Sequence, residues 1–165
     1  MIKWGIIGLG NMGNRFAEAI KEIKDVKINA IASLNKFKLH TFGKKFSISS
    51  ENCFGNYDQL IESNLIDAIY ISTLNNTHLD LIKKCAKFKK HILCEKPATI
   101  NENELKEIKK IISDSGVCFL EAIAFRSHPI VDELVKVLNE NKFENIVSVE
   151  ANCGFNTKRI NPKSR

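Results

Sequence analysis

A glycine-rich stretch near the N-terminus reads Gly8-Leu9-Gly10-Asn11-Met12-Gly13. It follows the apolar run 3–7 and opens a segment of helical period, which is where a dinucleotide-binding loop lies between a strand and a helix. In such loops the first glycine allows a tight turn, the second lets the main chain approach a pyrophosphate, and the third lets the helix pack closely on the strand. The helix N-terminus adds free N–H groups and a positive dipole end. The stretch therefore predicts an anion site. It does not identify the ligand by itself, because S-adenosylmethionine-binding folds use a similar loop.

Apolar runs of four to seven residues alternate with longer segments of helical period along the chain. The runs contain little polar alternation, as expected for strands that helices cover on both faces. This pattern predicts parallel strands joined by crossover helices, which is an α/β fold with a doubly wound Rossmann sheet. The predicted strands are residues 3–7, 28–33, 67–72, 91–94 and 117–123, with a weaker strand near 53–54.

Three helical segments carry apolar stripes, which we interpret as core rather than as functional surface. The last of them begins with Asn101 and Glu104, a pair that resembles a capping box, and Gly116 is expected to end it. The stripes are Met12, Phe16, Ala19, Ile20 and Ile23; Leu79, Ile82 and Ala86; and Leu105, Ile108, Ile111 and Ile112.

A second structural unit is predicted after Pro129, with a helix from 130 to about 141 and a strand at 145–152. One face of that strand needs a core, and residues 153–165 are polar and basic and offer no further element. We therefore expect two domains: a dinucleotide-binding Rossmann domain over 1–122, and the beginning of an incomplete α+β domain over 123–165. On this interpretation the chain is truncated partway through the second domain.

The composition limits the classes of partner and location. With 44% hydrophobic and 27% charged residues, the chain is typical of soluble globular proteins. The net charge of +6 is dispersed in basic runs no longer than two residues, which argues against a nucleic-acid partner. No segment has the length of a signal-peptide core or a membrane span. Five cysteines without a Cys-x-x-Cys pair predict reduced thiols, a cytoplasmic location and no metal site.

The end of the second predicted strand bears on the choice of cofactor. Where an NAD enzyme usually places Asp or Glu against the adenosine ribose, this chain has Ser33-Leu34-Asn35, followed by Lys36 and Lys38. No carboxylate there repels a 2′-phosphate, and the lysines can pair with one, which favours NADP slightly. A hydrogen bond from Ser33 or Asn35 to a plain ribose leaves NAD open.

Polar residues follow the fourth and fifth predicted strands, at the edge where open parallel sheets bind ligands. Ser72-Thr73-Leu74-Asn75-Asn76-Thr77-His78 follows the fourth strand, and Glu95-Lys96-Pro97 ends the fifth. A lysine there can exchange a proton with a substrate or polarise its oxygen as a cation. The alternatives are a solvated loop lysine for Lys96 and a helix-capping or core histidine for His78. Pro97 fixes the main chain directly after the lysine.

Taken in order, four motifs resemble the Gfo/Idh/MocA oxidoreductase family. They are the loop 8–13, the segment from Ile71 to His78, Cys94-Glu95-Lys96-Pro97, and Glu121-Ala122-x-x-x-Arg126-x-His128-Pro129. Together the four motifs argue against the alternative that the glycine loop belongs to an S-adenosylmethionine-binding methyltransferase. The resemblance implies NAD(P)-dependent hydride transfer at a hydroxyl-bearing carbon of a sugar, cyclitol or diol. It also implies a homo-oligomer, since the family commonly assembles through the sheet of its second domain.

The resemblance also implies individual roles. Lys96 would be the catalytic residue and touch the substrate oxygen, and Ser33 and Leu34 would lie beside the adenosine ribose. Leu34 stands where many members have Arg, which weakens the NADP preference, and Leu74 stands where Pro is frequent. The pyrophosphate would be bound by Gly8, Leu9, Gly10, Asn11, Met12 and Gly13. The other expected cofactor contacts are Thr73, Asn75, His78, Glu95, Lys96, Pro97 and Arg126.

Family members continue beyond the equivalent of residue 165 with a glycine-rich segment and an Asp-x-x-x-His pair, whose His is the usual acid/base partner of the lysine. No histidine follows His128 in this chain. We therefore expect cofactor binding with poor turnover. The alternatives are a non-catalytic dinucleotide-binding module and an inactive fragment of an interrupted reading frame.

Overall fold

A six-stranded parallel sheet forms the first compact unit of the chain, Met1–Ile123. The computed structural model describes residues 1–140, 147–152 and 154. The strand order β3-β2-β1-β4-β5-β6 is that of a Rossmann sheet, so the predicted fold class is confirmed. The strands are β1 (Ile2–Ile7), β2 (Val26–Ala32), β3 (Cys53–Phe54), β4 (Ala68–Ile71), β5 (His91–Glu95) and β6 (Phe119–Ala122).

Helices cover both faces of this sheet. Successive side chains of each strand point to opposite faces, so apolar neighbours in one strand pack into two different core clusters. On β1, Ile6 packs in a cluster with Ala17 and Phe42, and the adjacent Ile7 packs in the larger cluster that contains Leu81 and Ile108. The helices of this unit are α1 (Asn11–Ile20), α2 (Lys36–Lys45), α3 (Tyr57–Glu62), α4 (His78–Lys87) and α5 (Glu102–Ser115). One face therefore holds α1 and α2, and the other holds α3, α4 and α5.

The strand registers bring distant parts of the sequence to one edge. Ile7 lies beside Ala32 on one side and Ile71 on the other, and Ile71 lies beside Cys94. On the far side of β5, Cys94 lies beside Glu121. The segments that follow these residues therefore all begin at the carboxyl edge of the sheet, where the polar motifs were predicted to meet.

The ends of α5 confirm the predicted boundary signals. Asn101 Oδ1 accepts the Glu104 N–H at 3.0 Å, and Glu104 Oε2 accepts the Ile100 N–H at 3.0 Å. The returning bond thus reaches one residue further back than in a capping box. Gly116 ends the helix with a left-handed φ of 68°.

The predicted core stripe of α1 is partly wrong. The buried residues of this helix are Gly13, Ala17 and Ile20, whereas Met12 and Ala19 are exposed. Small side chains let α1 approach the sheet closely, so the contact face follows Gly13 and Ala17 rather than the largest apolar residues. Two further predicted core residues are also exposed: Ile23, which lies beyond the end of α1, and Leu105 in α5.

The second unit begins at Ala124 and contains α6 (Pro129–Asn139). His128 Nδ1 accepts the Ile130 N–H at 3.2 Å and caps this helix, in agreement with the predicted helix after Pro129. The strand predicted over 145–152 is wrong for residues 147–152, which form no strand and leave Val147 95% exposed. A strand needs a hydrogen-bonded neighbour, and the described part of the chain supplies none there. Residues 141–146, 153 and 155–165 lie outside the described residues.

Across the described residues, no helix is both long and apolar enough to span a membrane. Cys53, Cys85, Cys94 and Cys118 are free thiols. The same ranges contain no group of three or more His, Cys, Asp or Glu side chains arranged to hold a metal ion.

Candidate dinucleotide site

The loop between β1 and α1 is closed by direct main-chain contacts. Gly8 has a φ of +94°, and a Cβ there would lie 2.5 Å from the Ser72 carbonyl oxygen. A Cβ on Gly13 would lie 2.4 Å from the Gly8 carbonyl oxygen. Real Cβ atoms do not approach oxygen so closely, so both positions require glycine. The loop therefore packs against the end of β4, and the first turn of α1 packs against the loop.

Gly10 is subject to a different constraint. A Cβ there would meet no atom of the described residues within 4 Å, and the Gly10 φ of −87° is open to any residue. Nothing in the surrounding protein thus requires glycine at this position. The open space in front of the Gly10 main chain fits the close approach of a ligand phosphate.

The N-terminus of α1 adds electrostatic attraction for an anion. Gly10 is the N-cap residue, no side chain caps the helix, and the first turn contains no acidic residue. The first N–H groups of a helix lack intrahelical partners, and the helix dipole places partial positive charge there. This end of α1 fits the pyrophosphate of a dinucleotide.

The carboxyl end of β2 offers cations and no carboxylate. The buried Ser33 Oγ accepts the Asn35 N–H at 3.2 Å, and Asn35 Oδ1 accepts the Lys38 N–H at 3.0 Å. Asn35 thus caps α2, whose first turn contains no acidic residue. Leu34 is 69% exposed. Burial raises the pKa of the nearby Tyr57 hydroxyl, and the Leu34 N–H opposes this rise.

Hydroxyl groups order the segment after β4. Ser72 Oγ donates to the Gly8 carbonyl oxygen at 2.7 Å and so joins this segment to the glycine loop. The hydroxyls of Thr73 and Thr77 lie 2.7 Å apart, and Thr77 donates to the Leu74 carbonyl oxygen at 2.7 Å. Asn75 is exposed at the start of a short 3-10 turn. The loop is therefore held internally and leaves the Asn75 side chain accessible.

His78 is buried between the loop after β4 and the loop after β5. The side chain is fully buried, with Nδ1 3.1 Å from the Pro97 carbonyl oxygen and Nε2 3.3 Å from the Thr73 carbonyl oxygen. A neutral imidazole donates from one nitrogen, and the imidazolium donates from both. A neutral His78 can therefore donate to only one of these two carbonyl oxygens, and its ring lies between the loop after β4 and the loop after β5. The contact of His78 with a cofactor stays a prediction.

Glu95 is held by a tyrosine that the sequence motifs did not include. The Tyr70 hydroxyl donates to Glu95 Oε1 at 2.5 Å, and both side chains are buried. The ring of Phe16 in α1 stacks on Tyr70, with ring centroids 4.2 Å apart. Burial, together with the Glu95 carboxylate, raises the pKa of Tyr70, which keeps the hydroxyl as the donor. A tyrosine inside the apolar strand Ala68–Ile71 was the available signal, because a buried hydroxyl needs a partner.

The main chain after Lys96 is fixed from two sides. The Lys96–Pro97 peptide bond is cis, and the Pro97 carbonyl faces His78. The Ala98 N–H donates to Glu121 Oε1 at 2.8 Å. Lys96 itself is exposed and forms no hydrogen bond or ion pair with the described residues. The main chain beside Lys96 is thus held in place by hydrogen bonds, and the Lys96 ammonium at the edge of the sheet is available to a ligand.

Several predicted site residues meet at this edge, but not all of them expose their side chains. The loop 8–13 contacts the segment after β4, which contacts the loop after β5. Leu9, Ser33, His78 and Glu95 are buried, and their contacts with a cofactor stay predictions. Arg126 is exposed in a short 3-10 turn of the second unit, and its contact with a cofactor stays a prediction.

The strand order, the glycine loop and the uncapped helix define a dinucleotide-binding Rossmann protein. A family profile described as "Oxidoreductase family, NAD-binding Rossmann fold", the Gfo/Idh/MocA family, matches residues 2–123. The chain belongs to this family, which confirms the resemblance seen in its four motifs.

The chain is similar to dehydrogenases of known name. Trans-1,2-dihydrobenzene-1,2-diol dehydrogenase of Xenopus tropicalis is 27% identical over 160 residues, which are 96% of this chain and 48% of that protein. D-xylose 1-dehydrogenase (NADP(+)) 2 of Haloferax volcanii is 27% identical over 152 residues, which are 92% and 46% of the two chains. This chain spans about half the length of the curated relatives it matches.

A solved structure shares the fold. Scyllo-inositol dehydrogenase from Lactobacillus casei, crystallised with NAD(H) and scyllo-inositol, superposes with a TM-score of 0.80 at 24% sequence identity. The match covers 86% of this chain and 42% of the other.

Proposed function

We propose that this chain binds a nicotinamide dinucleotide at the carboxyl edge of β1 and β4, with the pyrophosphate at the N-terminus of α1. The observation that carries the proposal is the contrast among the loop glycines. Gly8 and Gly13 are required by main-chain contacts, whereas Gly10 faces open space beside an uncapped helix end. A glycine that its own protein does not need is explained by a ligand that approaches the main chain there.

The reaction we propose is hydride transfer at a hydroxyl-bearing carbon of a sugar, cyclitol or diol. A nicotinamide held at this edge would supply the hydride chemistry. Lys96 supplies the polar counterpart: its Nζ takes the hydroxyl proton as an amine or polarises the substrate oxygen as an ammonium. Its uncommitted side chain and fixed main chain support this role. The names of the relatives, which include a diol, a sugar and a cyclitol dehydrogenase, support the substrate class.

For the cofactor, we propose a slight preference for NADP(H). The end of β2 presents Lys36 and Lys38 and no carboxylate, so a 2′-phosphate meets attraction without repulsion. The exposed Leu34 supplies no charge of its own, which limits the preference. The relatives fit either cofactor, because one is named for NADP(+) and another was crystallised with NAD(H).

The proposal also covers location and assembly. The four described cysteines are free thiols, which supports a reducing, cytoplasmic environment. Basic runs in the sequence are no longer than two residues, which supports a small-molecule partner over nucleic acid. The homo-oligomer implied by the family remains a prediction.

The test is calorimetric titration of the purified chain with NADH and NADPH, repeated on Gly10→Val. We expect the native chain to bind with micromolar affinity and NADPH to bind somewhat more tightly. The valine side chain should occupy the phosphate position and weaken binding roughly tenfold or more, equivalent to at least about 1.4 kcal/mol. The thermal unfolding midpoint should fall only slightly, because a Cβ at position 10 meets no atom of the described residues within 4 Å. Unchanged affinity in Gly10→Val would remove the pyrophosphate assignment.

A second arm tests the chemistry. Oxidised cofactor and a mixture of polyols and sugars are incubated with the native chain and with Lys96→Met, and cofactor reduction is followed at 340 nm. Slow reduction that Lys96→Met abolishes, with cofactor affinity retained, supports the catalytic assignment. Binding without any turnover supports the non-catalytic dinucleotide-binding module instead.

A further inference from the structure

Asn14 in the first turn of α1 links the glycine loop to a charged group on α2. Its Nδ2 donates to the Gly10 carbonyl oxygen at 2.9 Å, and the same oxygen accepts the Asn14 main-chain N–H at 3.0 Å. On the other side, Asn14 Oδ1 accepts from Lys45 Nζ at 3.1 Å. The opposite orientation of the amide would place oxygen against oxygen and NH₂ against ammonium. The two neighbours therefore fix which way the Asn14 amide points.

The orientation of the Gly10 carbonyl determines the direction of the next N–H group. A trans peptide is planar, so the C=O of Gly10 and the N–H of Asn11 point in opposite directions. Two donors hold the Gly10 oxygen toward the body of α1, which directs the Asn11 N–H outward from the helix end. That is the position of the proposed pyrophosphate.

Hydrogen bonds in a chain polarise one another. The Lys45 ammonium draws electron density toward Asn14 Oδ1, which makes the Nδ2–H group a stronger donor to the Gly10 oxygen. The Gly10–Asn11 peptide is polarised in turn, and its N–H becomes a stronger donor to an anion. A charge on α2 can thus act on a ligand at the end of α1 without touching it.

Lys45 belongs to a cluster whose charges do not cancel. Glu18 pairs with Lys45 at 3.0 Å and with Lys21 at 3.1 Å, so two ammonium groups share one carboxylate. The two lysines lower the pKa of Glu18, which keeps the carboxylate ionised. Within this cluster, Lys45 is the ammonium group that contacts the Asn14 amide, so it acts on the amide directly.

We propose that Asn14 is a positioning residue for the pyrophosphate site, and that Lys45 acts on this site through the Asn14 amide and the Gly10–Asn11 peptide. The binding part of this inference rests on the proposed function. The polarisation of the Asn11 N–H is a property of the chain without ligand and can be measured separately.

Lys21 provides a matched control for Lys45. Both ammonium groups pair with Glu18, and both lie over the Phe46 ring, at 4.7 Å for Lys21 and 4.8 Å for Lys45. Within the described part of the chain, the contact with Asn14 is the polar contact that Lys45 makes and Lys21 does not. If only the general surface charge matters, Lys21→Met and Lys45→Met should change cofactor binding alike. If Lys45 acts through the Asn14 amide and the Gly10–Asn11 peptide, only Lys45→Met should change it.

The experiment compares the native chain with Asn14→Ala, Lys45→Met and Lys21→Met. The first measurement is the Asn11 amide proton shift in ¹⁵N–¹H spectra without ligand, which we expect to move upfield in Asn14→Ala and Lys45→Met but not in Lys21→Met. The second is calorimetric affinity for NADH. We expect losses of about three- to tenfold in Asn14→Ala and about two- to threefold in Lys45→Met, and none in Lys21→Met.

The outcomes separate the two proposals. If the native chain does not bind NADH, the proposed function fails. The Asn11 amide shift still tests whether Lys45 polarises the Gly10–Asn11 peptide through Asn14, because it is measured without ligand. An Asn11 shift and affinity that remain native in Lys45→Met, or that change equally in Lys21→Met, overturn the inference. Lys45→Met changes a half-exposed surface residue, so this comparison remains decisive even if Asn14→Ala does not fold.

Discussion

Gly10 and Gly13 share a residue type and a loop, but different forces keep them as glycine. A Cβ on Gly13 would clash with the Gly8 carbonyl oxygen, which belongs to the main chain and cannot rotate away. A Cβ on Gly10 would meet no atom of the described residues within 4 Å. The same alanine substitution at the two positions therefore separates a folding constraint from a ligand constraint.

We predict that Gly13→Ala destabilises the chain by about 1–3 kcal/mol, because the added methyl forces α1 or the loop to shift. Gly10→Ala should cost less, about 0.5 kcal/mol, because its Cβ meets no atom of the described residues and only the N-cap preference for glycine over alanine is lost. Urea denaturation followed by circular dichroism measures both. Equal losses in the two variants would contradict the loop geometry described here.

At individual residues, the sequence located the site but not the direction of every side chain. Lys96, Asn75 and the loop glycines were expected at the carboxyl edge, and the structure brings them there. His78 and Glu95 were expected to line the cofactor, yet both are buried. Their partners are the Thr73 and Pro97 carbonyls and the Tyr70 hydroxyl, which lie between 5 and 25 residues away in sequence. Such inward contacts depend on the folded sheet and leave little trace in a local motif.

At the scale of the element, α5 owes its first turn to Asn101 and Glu104. Asn101 satisfies the Glu104 N–H and Glu104 satisfies the Ile100 N–H, each at 3.0 Å. We predict that Asn101→Ala destabilises the chain by about 1 kcal/mol, and that Asn101→Asp retains most of the stability because the carboxylate still accepts that bond. Thermal unfolding of the two variants beside the native chain checks this. A midpoint in Asn101→Ala equal to that of the native chain would mean that the cap contributes nothing.

The elements that the sequence predicted best are those whose signal is local. A buried parallel strand is a short apolar run, and every such run in the first unit forms a strand. The cap of α5 is also written in adjacent residues. The buried face of α1, predicted from helical spacing, is partly wrong, and the strand predicted from alternation is wrong over 147–152, because each depends on a partner. Gly13 and Ala17 are buried because their small side chains let α1 pack closely on the sheet. Residues 147–152 have no strand beside them among the described residues.

At the scale of the whole molecule, the sheet unites fold and site. The larger of its two cores contains side chains from β1, β4 and β5 together with α3, α4 and α5. The same strands end in the loops that hold Gly8, Ser72 and Lys96. A disturbance that loosens this core should therefore displace the loops, and a ligand held by those loops should stabilise the core.

Two buried cysteines of this core report on its opening. Cys85 in α4 and Cys94 in β5 are fully buried, and burial raises the pKa of each thiol to about 12. At pH 8 only about one such thiol in 10⁴ is ionised, and the thiolate is the form that reacts. We predict that iodoacetamide labels the exposed Cys118 rapidly at pH 8, whereas Cys85 and Cys94 are labelled only when the core unfolds.

Labelling of these two thiols should follow global stability and should respond to the cofactor. Below the midpoint of urea unfolding, their rates should rise together as the population of the open form increases, while the Cys118 rate stays nearly constant. Saturating NADH binds only the folded chain, so at 100 times its dissociation constant it should slow Cys85 and Cys94 labelling by about 100-fold, equivalent to about 2.7 kcal/mol. Mass spectrometry of tryptic peptides resolves the sites. Protection that NADH leaves unchanged in the native chain, at a concentration shown by calorimetry to saturate it, would show that the loops and the core are not coupled through the sheet.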